Sequence, residues 1–273
     1  MSIQVDKQIR YHTDISYDGS KHWHFKENKW NFDYLIHPNK NSDKLLILMP
    51  AAIAKNKIIT LPYYHRHSWA KQFNMNVVVV SDPTLEINRE LLAGWFLGDN
   101  EDYVFNRMVG HLRLIQEQLG IERNKMCFAG SSLGGYGALL GACMLKGSLA
   151  YAENPQLELR GYKYQIHIEN LSKYCFDNQI ETYFEKFPER FSILEAFKKY
   201  RNFPNSYIVQ KQSDEYHYSG QFKIFLQKLM DTNVNRNFLI AEEIGKEIDT
   251  TGHTPLTFEQ MKLRIDFLFN STI

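Results

Sequence analysis

The residues most able to do chemistry lie in the run CFAGSSLGGYGALLGA, from Cys127 to Ala142. Gly130-Ser131-Ser132-Leu133-Gly134 fits the pattern G-x-S-x-G, in which a serine sits on a sharp turn between a strand and a helix. Side chains two residues before and after that serine would collide, and glycine at both places removes the collision. Only Ser132 has glycine on both sides at that spacing, so the pattern selects Ser132 over Ser131. A serine hydroxyl is a poor nucleophile at neutral pH. It needs a histidine to take its proton and a carboxylate to orient that imidazole. In a strand-turn-helix setting of this kind the chain order is serine, acid, histidine. Asp214 ends the apolar run NSYIVQKQSD, and His253 stands before the last helical segment, so both fall where the order requires. Glu215 competes with Asp214 as the acid. His217 competes with His253 as the base, but it precedes a further helix and strand, which favours His253. The chemistry of such a set is acyl transfer through an acyl-serine.

The oxyanion formed in that reaction needs donors. One expected donor is the backbone N–H of Leu133, at the start of the helix. The other is that of Ala51 or Ala52, in the loop after the run LLILMP. Trp95, in the segment Leu91 to Tyr103, and Tyr136, one turn into the helix after Ser132, are the candidate substrate contacts. The remaining histidines offer less. His22/His24 and His65/His67 are i, i+2 pairs that could ligate a metal on a strand, but nothing near them in sequence completes a ligand set, and no metal is expected. His111 and His167 read as structural. The alternative to a nucleophile is a plain glycine-rich turn or an anion-binding one. No G-x-x-x-x-G-K-[ST] and no dinucleotide fingerprint is present.

Elements must place these groups. KWNFDYLIH (Lys29 to His37) alternates polar and apolar residues and reads as a strand with one wet face. Lys44–Pro50, Asn76–Pro83 and Lys125–Gly130 are short apolar runs that read as strands buried on both faces. Asn205–Asp214 and Arg236–Glu243 are further strands. Helices are expected over Asp102–Gly120, after Ser132, over Ser219–Met230 and over about Pro255–Phe269. Strands alternate with helices, which predicts an α/β fold with a doubly wound, mostly parallel sheet. One domain over residues 1–273 is expected. A mostly helical insertion at about 156–204, rich in Tyr, Phe, Glu and Lys, could cap the site.

Composition narrows the functions. A formal charge of +1 provides no field to attract nucleic acid or an anionic membrane. Three cysteines, Cys127, Cys143 and Cys175, with no C-x-x-C spacing argue against a disulfide framework or a zinc site. Met1–Asp14 shows no apolar signal core, and no apolar run is long enough to cross a bilayer. A cytoplasmic protein is expected.

The motifs AGSSLGGYGALL, AENPQL (Ala152 to Leu157), QSDEYH (Gln212 to His217) and TGHTPLTFEQM occur in one order. Together they resemble α/β-hydrolase-fold proteins of bacterial surface-polysaccharide biosynthesis, capsule O-acetyltransferases among them. The likeness runs from about Leu45 to the C-terminus, with Leu133 standing where that family has a lysine. It implies a nucleophile at Ser132, an acid at Asp214 and a base at His253, in agreement with the spacing. It also implies acetyl transfer from acetyl-CoA, as a co-substrate rather than a bound cofactor, to a sugar hydroxyl of a polysaccharide or oligosaccharide. A carboxylesterase or deacetylase with the same triad, or a non-catalytic assembly component, are the other functions this pattern allows. A homodimer is the oligomer expected.

Overall fold

The computed structural model describes residues 20–54, 60–232 and 238–271. Met1–Asp14, read above for a signal core, lies outside them, as do Arg236 and Asn237 at the start of one expected strand. The strands are β1 (Lys21–Glu27), β2 (Trp30–His37), β3 (Leu45–Leu48), β4 (Asn76–Val80), β5 (Met126–Ser131), β6 (Leu149–Glu153), β7 (Asn205–Lys211) and β8 (Leu239–Ile244). They form one sheet in the order β1-β2-β4-β3-β5-β6-β7-β8. β1 and β2 are antiparallel to their neighbours, and every pairing from β4 to β8 is parallel. The helices are α1 (His67–Ala70), α2 (Val104–Gln118), α3 (Leu133–Met144), α4 (Gln165–Cys175), α5 (Ile180–Lys186), α6 (Ile193–Tyr200), α7 (Glu215–His217), α8 (Lys223–Met230) and α9 (Phe258–Asn270).

The apolar strands are buried on both faces because alternate residues serve two cores. Leu45, Ile47, Val78, Val80 and Phe128 pack on the side of α2, α3 and the helices α4–α6. Leu46, Leu48, Val77, Val79, Cys127 and Ala129 pack on the side of α9. The expected elements are present, with ends trimmed by a few residues. Two strands were not read from the sequence. β6, LAYAE, is short and ends on a charged residue, Glu153, that is fully buried. β1, KHWHFKE, alternates half-exposed or exposed His and Lys with buried Trp23 and Phe25, but it is an edge strand. The wet face expected for β2 is partly covered, since Asp33 is buried beneath His22 and His24. The segment between β6 and β7 is helical, as expected. α8 is preceded by a π-helical turn at Tyr218–Phe222. Among the described residues no helix is long and apolar enough to cross a membrane.

Asp82, just past β4, fixes the loop that carries Trp95. Its carboxylate accepts hydrogen bonds from the backbone N–H groups of Thr84 and Phe96, both at 2.9 Å. Trp95 and Phe96 both adopt positive φ, of 49° and 54°, which such side chains seldom do without outside restraint. Burial pushes the Asp82 carboxyl up to about 6, although those two N–H groups oppose the change. Between about pH 4 and 6 the folded chain holds a proton there that the unfolded chain has released. Stability therefore falls as pH rises through that window, by about 3 kcal/mol at most. Asp82→Asn is expected to lower stability overall and to abolish this slope. Urea unfolding at pH 4.5 and 7 checks it: an equal pH slope in both proteins would rule Asp82 out as its source.

Candidate active site

The turn at Ser132 follows from two backbones that approach within contact. A Cβ placed on Gly130 would lie 2.4 Å from the carbonyl carbon and oxygen of Gly134. A Cβ on Gly134 would lie 2.7 Å from the Met49 carbonyl oxygen and 3.0 Å from that of Pro50. The two glycines let β5 turn straight into α3, and let the loop after β3 pass over the first turn of α3. Between them Ser132 has φ 56° and ψ −120°, a strained conformation for a residue with a side chain. Backbone hydrogen bonds hold it there: Ser132 N–H donates to the Glu153 carbonyl at 2.9 Å, and the Ser132 carbonyl accepts from Tyr136 at 3.1 Å and Gln156 at 3.2 Å.

The strained turn aims the Ser132 hydroxyl at His253. Ser132 Oγ lies 2.8 Å from His253 Nε2, and His253 Nδ1 lies 2.5 Å from Asp214 Oδ2. These three side chains, from the β5–α3 turn, the end of β7 and the loop before α9, thus form one hydrogen-bonded line. Glu215 points elsewhere. Its side chain is 64% exposed and bonds Lys246 and Ser219. Ser131 is also outside the line, its hydroxyl accepting from Arg66 at 3.2 Å.

His217 is beside the line rather than in it. Its Nδ1 lies 2.9 Å from the other oxygen of Asp214, and its ring stacks on His253 with centroids 4.3 Å apart. The ring is buried, and Nε2 has no hydrogen-bond partner among the described residues. Burial pushes the His217 imidazole down, and the bond to Asp214 only partly offsets that. Burial by itself would raise the Asp214 carboxyl. The hydrogen bonds from His217 and His253, and their charges, outweigh it and hold the group well below the usual carboxylate range. Asp214, His217 and His253 also bring three ligand atoms within 4.8 Å of one another, close enough for a metal ion if the hydrogen bonds were given up.

The loop carrying His253 is held by two buried ions. Lys211 Nζ donates to Asp249 at 2.7 Å, to Thr251 Oγ1 at 2.9 Å and to the Thr254 carbonyl at 2.7 Å. Glu153 accepts from the backbone N–H of Leu256 and faces Arg66 Nη2 at 3.5 Å. α9 then starts with a capping box between Thr257 and Gln260.

No family model matches the sequence, and no curated protein matches it either. Solved structures do. The capsule O-acetyltransferase of Neisseria meningitidis serogroup A, in complex with caged gadolinium, superposes with a TM-score of 0.62 at 16% identity, over 90% of this chain and 93% of that one. A histidine-to-alanine mutant of that enzyme in complex with CoA gives 0.65 at 15% identity, over 91% and 94%. An S-formylglutathione hydrolase from Agrobacterium tumefaciens gives 0.62 at 13% identity, over 94% and 97%. This chain has the α/β-hydrolase fold. Strand order and turn fit that architecture, in which the order along the chain is serine, acid, histidine.

Two expected substrate contacts are corrected by the α/β-hydrolase structure. Trp95 and Tyr136 are both buried, 1% and 0% exposed, and so present no surface to a ligand. Tyr136 spans from α3 to the helical segment, its hydroxyl donating to the Arg190 carbonyl at 2.6 Å. Trp95 Nε1 donates to Gln156 Oε1 at 2.6 Å. Gln156 is the residue that the sequence reading missed. Its Nε2 donates to Ser132 Oγ at 3.1 Å and to the Tyr162 hydroxyl at 2.7 Å, so Gln156 links Trp95 to the serine. The AENPQL turn was the only signal for it. Leu133 heads α3, and Ala51 and Ala52, both half-buried, follow the carbonyls that touch Gly134. A cavity of about 810 Å³ between α6 and α8 is lined by Leu157, Ser192 and Gln221 and by none of the three aligned side chains.

Lys211→Met should keep the fold and loosen the loop. Losing buried hydrogen bonds of a charged group is worth about 2 kcal/mol, a drop of several degrees in melting temperature. Amide exchange over residues 249–254 should quicken, and unchanged exchange there would mean that Lys211 does not hold the loop.

Proposed function

We propose that the protein is a serine acyl-transfer enzyme, an acetyl-CoA-dependent O-acetyltransferase acting on a capsule or other surface polysaccharide. The observation that carries this reading is the unbroken line from Ser132 Oγ through His253 to Asp214 on a strained, glycine-flanked turn. His253 Nε2 takes the Ser132 proton as Oγ bonds to the carbonyl carbon of the acyl donor. The Leu133 N–H, with that of Ala51 or Ala52, holds the oxyanion. Asp214 accepts from His253 Nδ1–H and stabilises the imidazolium. As the C–S bond breaks, the thiolate takes the proton from His253, leaving acetyl-Ser132. A sugar hydroxyl then gives His253 its proton and attacks the ester. Collapse of that intermediate frees the acetylated sugar, and Ser132 takes back the proton.

Gln156 supports this division of labour. Its amide occupies a lone pair of Ser132 Oγ and leaves the hydroxyl proton free to point at His253. Acetyl-CoA as donor draws on the likeness to the meningococcal enzyme, one structure of which holds CoA. In this reading the chain is one domain, the segment at about 156–204 caps the site, and the protein works in the cytoplasm as a homodimer. A second reading, an esterase, is favoured by the 35% exposure of the His253 side chain, which gives water a path to an acyl-serine.

Intact-protein mass after mixing with acetyl-CoA distinguishes the two readings. An acetyl adduct on the wild type and none on Ser132→Ala, with CoA release slow until a polysaccharide is added, is the expected result. No adduct and no CoA release, with p-nitrophenyl acetate still hydrolysed through Ser132, would establish the esterase. Folded protein that fails to react with a fluorophosphonate probe would sink both. Asp214→Asn should cut turnover by about 10⁴, as in other triad enzymes. His253→Ala should lose most activity and His217→Ala keep much of it. The reverse would make His217 the base.

A further inference from the structure

Tyr162, whose hydroxyl accepts from Gln156 at 2.7 Å, is the innermost of a group of rings that runs from the aligned side chains to the surface. Its ring is 3% exposed and lies 6.1 Å from that of His217, 6.1 Å from that of Tyr216 and edge-on to Tyr164 at 5.7 Å. Tyr216 in turn stands edge-on to His217 at 5.0 Å, and His217 stacks on His253. At the outer end Tyr164 is 48% exposed. A cation sits within reach of both outer rings: Lys163 Nζ is 5.7 Å from the Tyr164 centroid and 5.6 Å from that of Tyr216. Among the described residues this ammonium has no carboxylate partner. Glu215, the exposed acid beside Tyr216, is engaged by Lys246 and Ser219. The patch is held in place. The Tyr216 hydroxyl accepts from the Lys163 backbone N–H at 2.7 Å and donates to the Gly161 carbonyl at 3.4 Å. These bonds tie the loop bearing Lys163 and Tyr164 to the turn bearing Asp214 and His217. Burial first, and then the charges of His253 and Lys163, push the His217 imidazole down, so Lys163 is within electrostatic reach of the site.

We propose that Tyr164, Tyr216 and Lys163 form an acceptor subsite that holds an anionic sugar residue of the glycan, beside the residue that is acetylated at Ser132. The face of a tyrosine ring carries partial negative charge, and the C–H face of a sugar ring packs on it while the sugar hydroxyls stay in water. A neutral sugar would leave the Lys163 ammonium unused. One ammonium matches one acid group per sugar residue, whereas the several phosphates of CoA would ask for several cations. Lysine meets a carboxylate or a phosphate as a point charge, so it serves either acid. The buried Tyr162 lies between the patch and Gln156, so a residue on the patch is not itself the one at Ser132. Its neighbour in the chain is nearer the serine, which makes the preferred acceptor an oligomer rather than a single sugar. This inference rests on the proposed transfer to a polysaccharide for its ligand, but the patch is separate from the three aligned side chains.

The test uses the full chain as Ser132→Ala, so that binding is read without chemistry. Saturation-transfer NMR titrations with oligogalacturonate, its methyl ester and glucose 1-phosphate give the affinities. At least one of the two anionic probes should bind, and which of them does identifies the acid group. Lys163→Gln should weaken that binding about two- to fivefold, the range of an exposed ion pair. If oligogalacturonate is the ligand, its methyl ester should lose as much. Tyr164→Ala should weaken binding about tenfold, which is what covering roughly 60 Å² of apolar ring contributes. Lys163 and Tyr164 are exposed, so both variants are expected to fold, and circular dichroism checks it. Anionic probes that bind both variants as tightly as the parent would overturn the proposal. CoA that displaces the probes and itself loses affinity in Lys163→Gln would place the acyl donor on the patch and also overturn it. Fluorophosphonate labelling of the wild type reports the aligned side chains by themselves. Protein that labels but binds neither anionic probe would overturn this inference alone. Protein that does not label but binds an anionic probe through Lys163 and Tyr164 would keep the patch and remove the enzyme.

Discussion

Where β5 meets α3, the backbone at Gly130 comes so near Gly134 that no side chain fits at Gly130. The same Gly134 admits the carbonyls of Met49 and Pro50. Three pieces of backbone therefore converge on the residue between them, and Ser132 is forced to a positive φ. Strain of this kind persists only when the surroundings over-determine it. Here the end of β6 and the Gln156 backbone bind Ser132 from both sides. The serine is thereby raised at the edge of a parallel sheet, with a helix N-terminus behind it, before any histidine is considered.

The second requirement is to bring a distant loop to that serine and keep it there. The His253 loop has little regular structure of its own, so buried ionic contacts replace a hydrogen-bond ladder. Lys211, at the end of β7, takes hold of Asp249, Thr251 and Thr254, while Glu153, at the end of β6, takes hold of Leu256. Lys211 is buried with an acceptor for each of its three protons, which is the condition under which burying a charge is tolerable, whereas Glu153 has one oxygen bonded to Leu256 and the other only facing Arg66 at 3.5 Å. The strands that bear these anchors are also those flanking the serine turn and the aspartate. The sheet thus transmits one register to all three aligned side chains.

The turn at Ser132 and most of the strands could be read from the sequence because each leaves a local pattern. G-x-S-x-G records a steric collision between near neighbours, and the buried strands record two cores as unbroken apolar runs. What was not legible depends on contacts across long separations. Gln156 lies in a turn that looks like any other Asn-Pro turn, and only the fold brings it to Ser132. Trp95 and Tyr136 have the residue types of a sugar-binding surface, yet packing turns both inward. Asp33 sits on an alternating strand whose polar positions predict solvent, and the edge strand β1 covers it. Choosing between Asp214 and Glu215 had no local answer either, since adjacent residues differ only in which way the turn points them.

Asp214 shows how the site settles its own electrostatics. A carboxylate this deeply placed would ordinarily hold its proton. Two N–H donors, one from each histidine, reverse that outcome. They are not equivalent. His253 is partly open to solvent, and its second nitrogen reaches Ser132. His217 is buried, its second nitrogen is unpartnered among the described residues, and burial favours its neutral form. The neutral ring can give Asp214 a hydrogen bond without placing a positive charge against the His253 ring, whose centroid is 4.3 Å away. With one oxygen so occupied, the carboxylate cannot rotate freely, and its other oxygen faces His253. His217 therefore fixes the Asp214 carboxylate in charge state and direction at once, at the cost of one buried nitrogen left without a partner among the described residues.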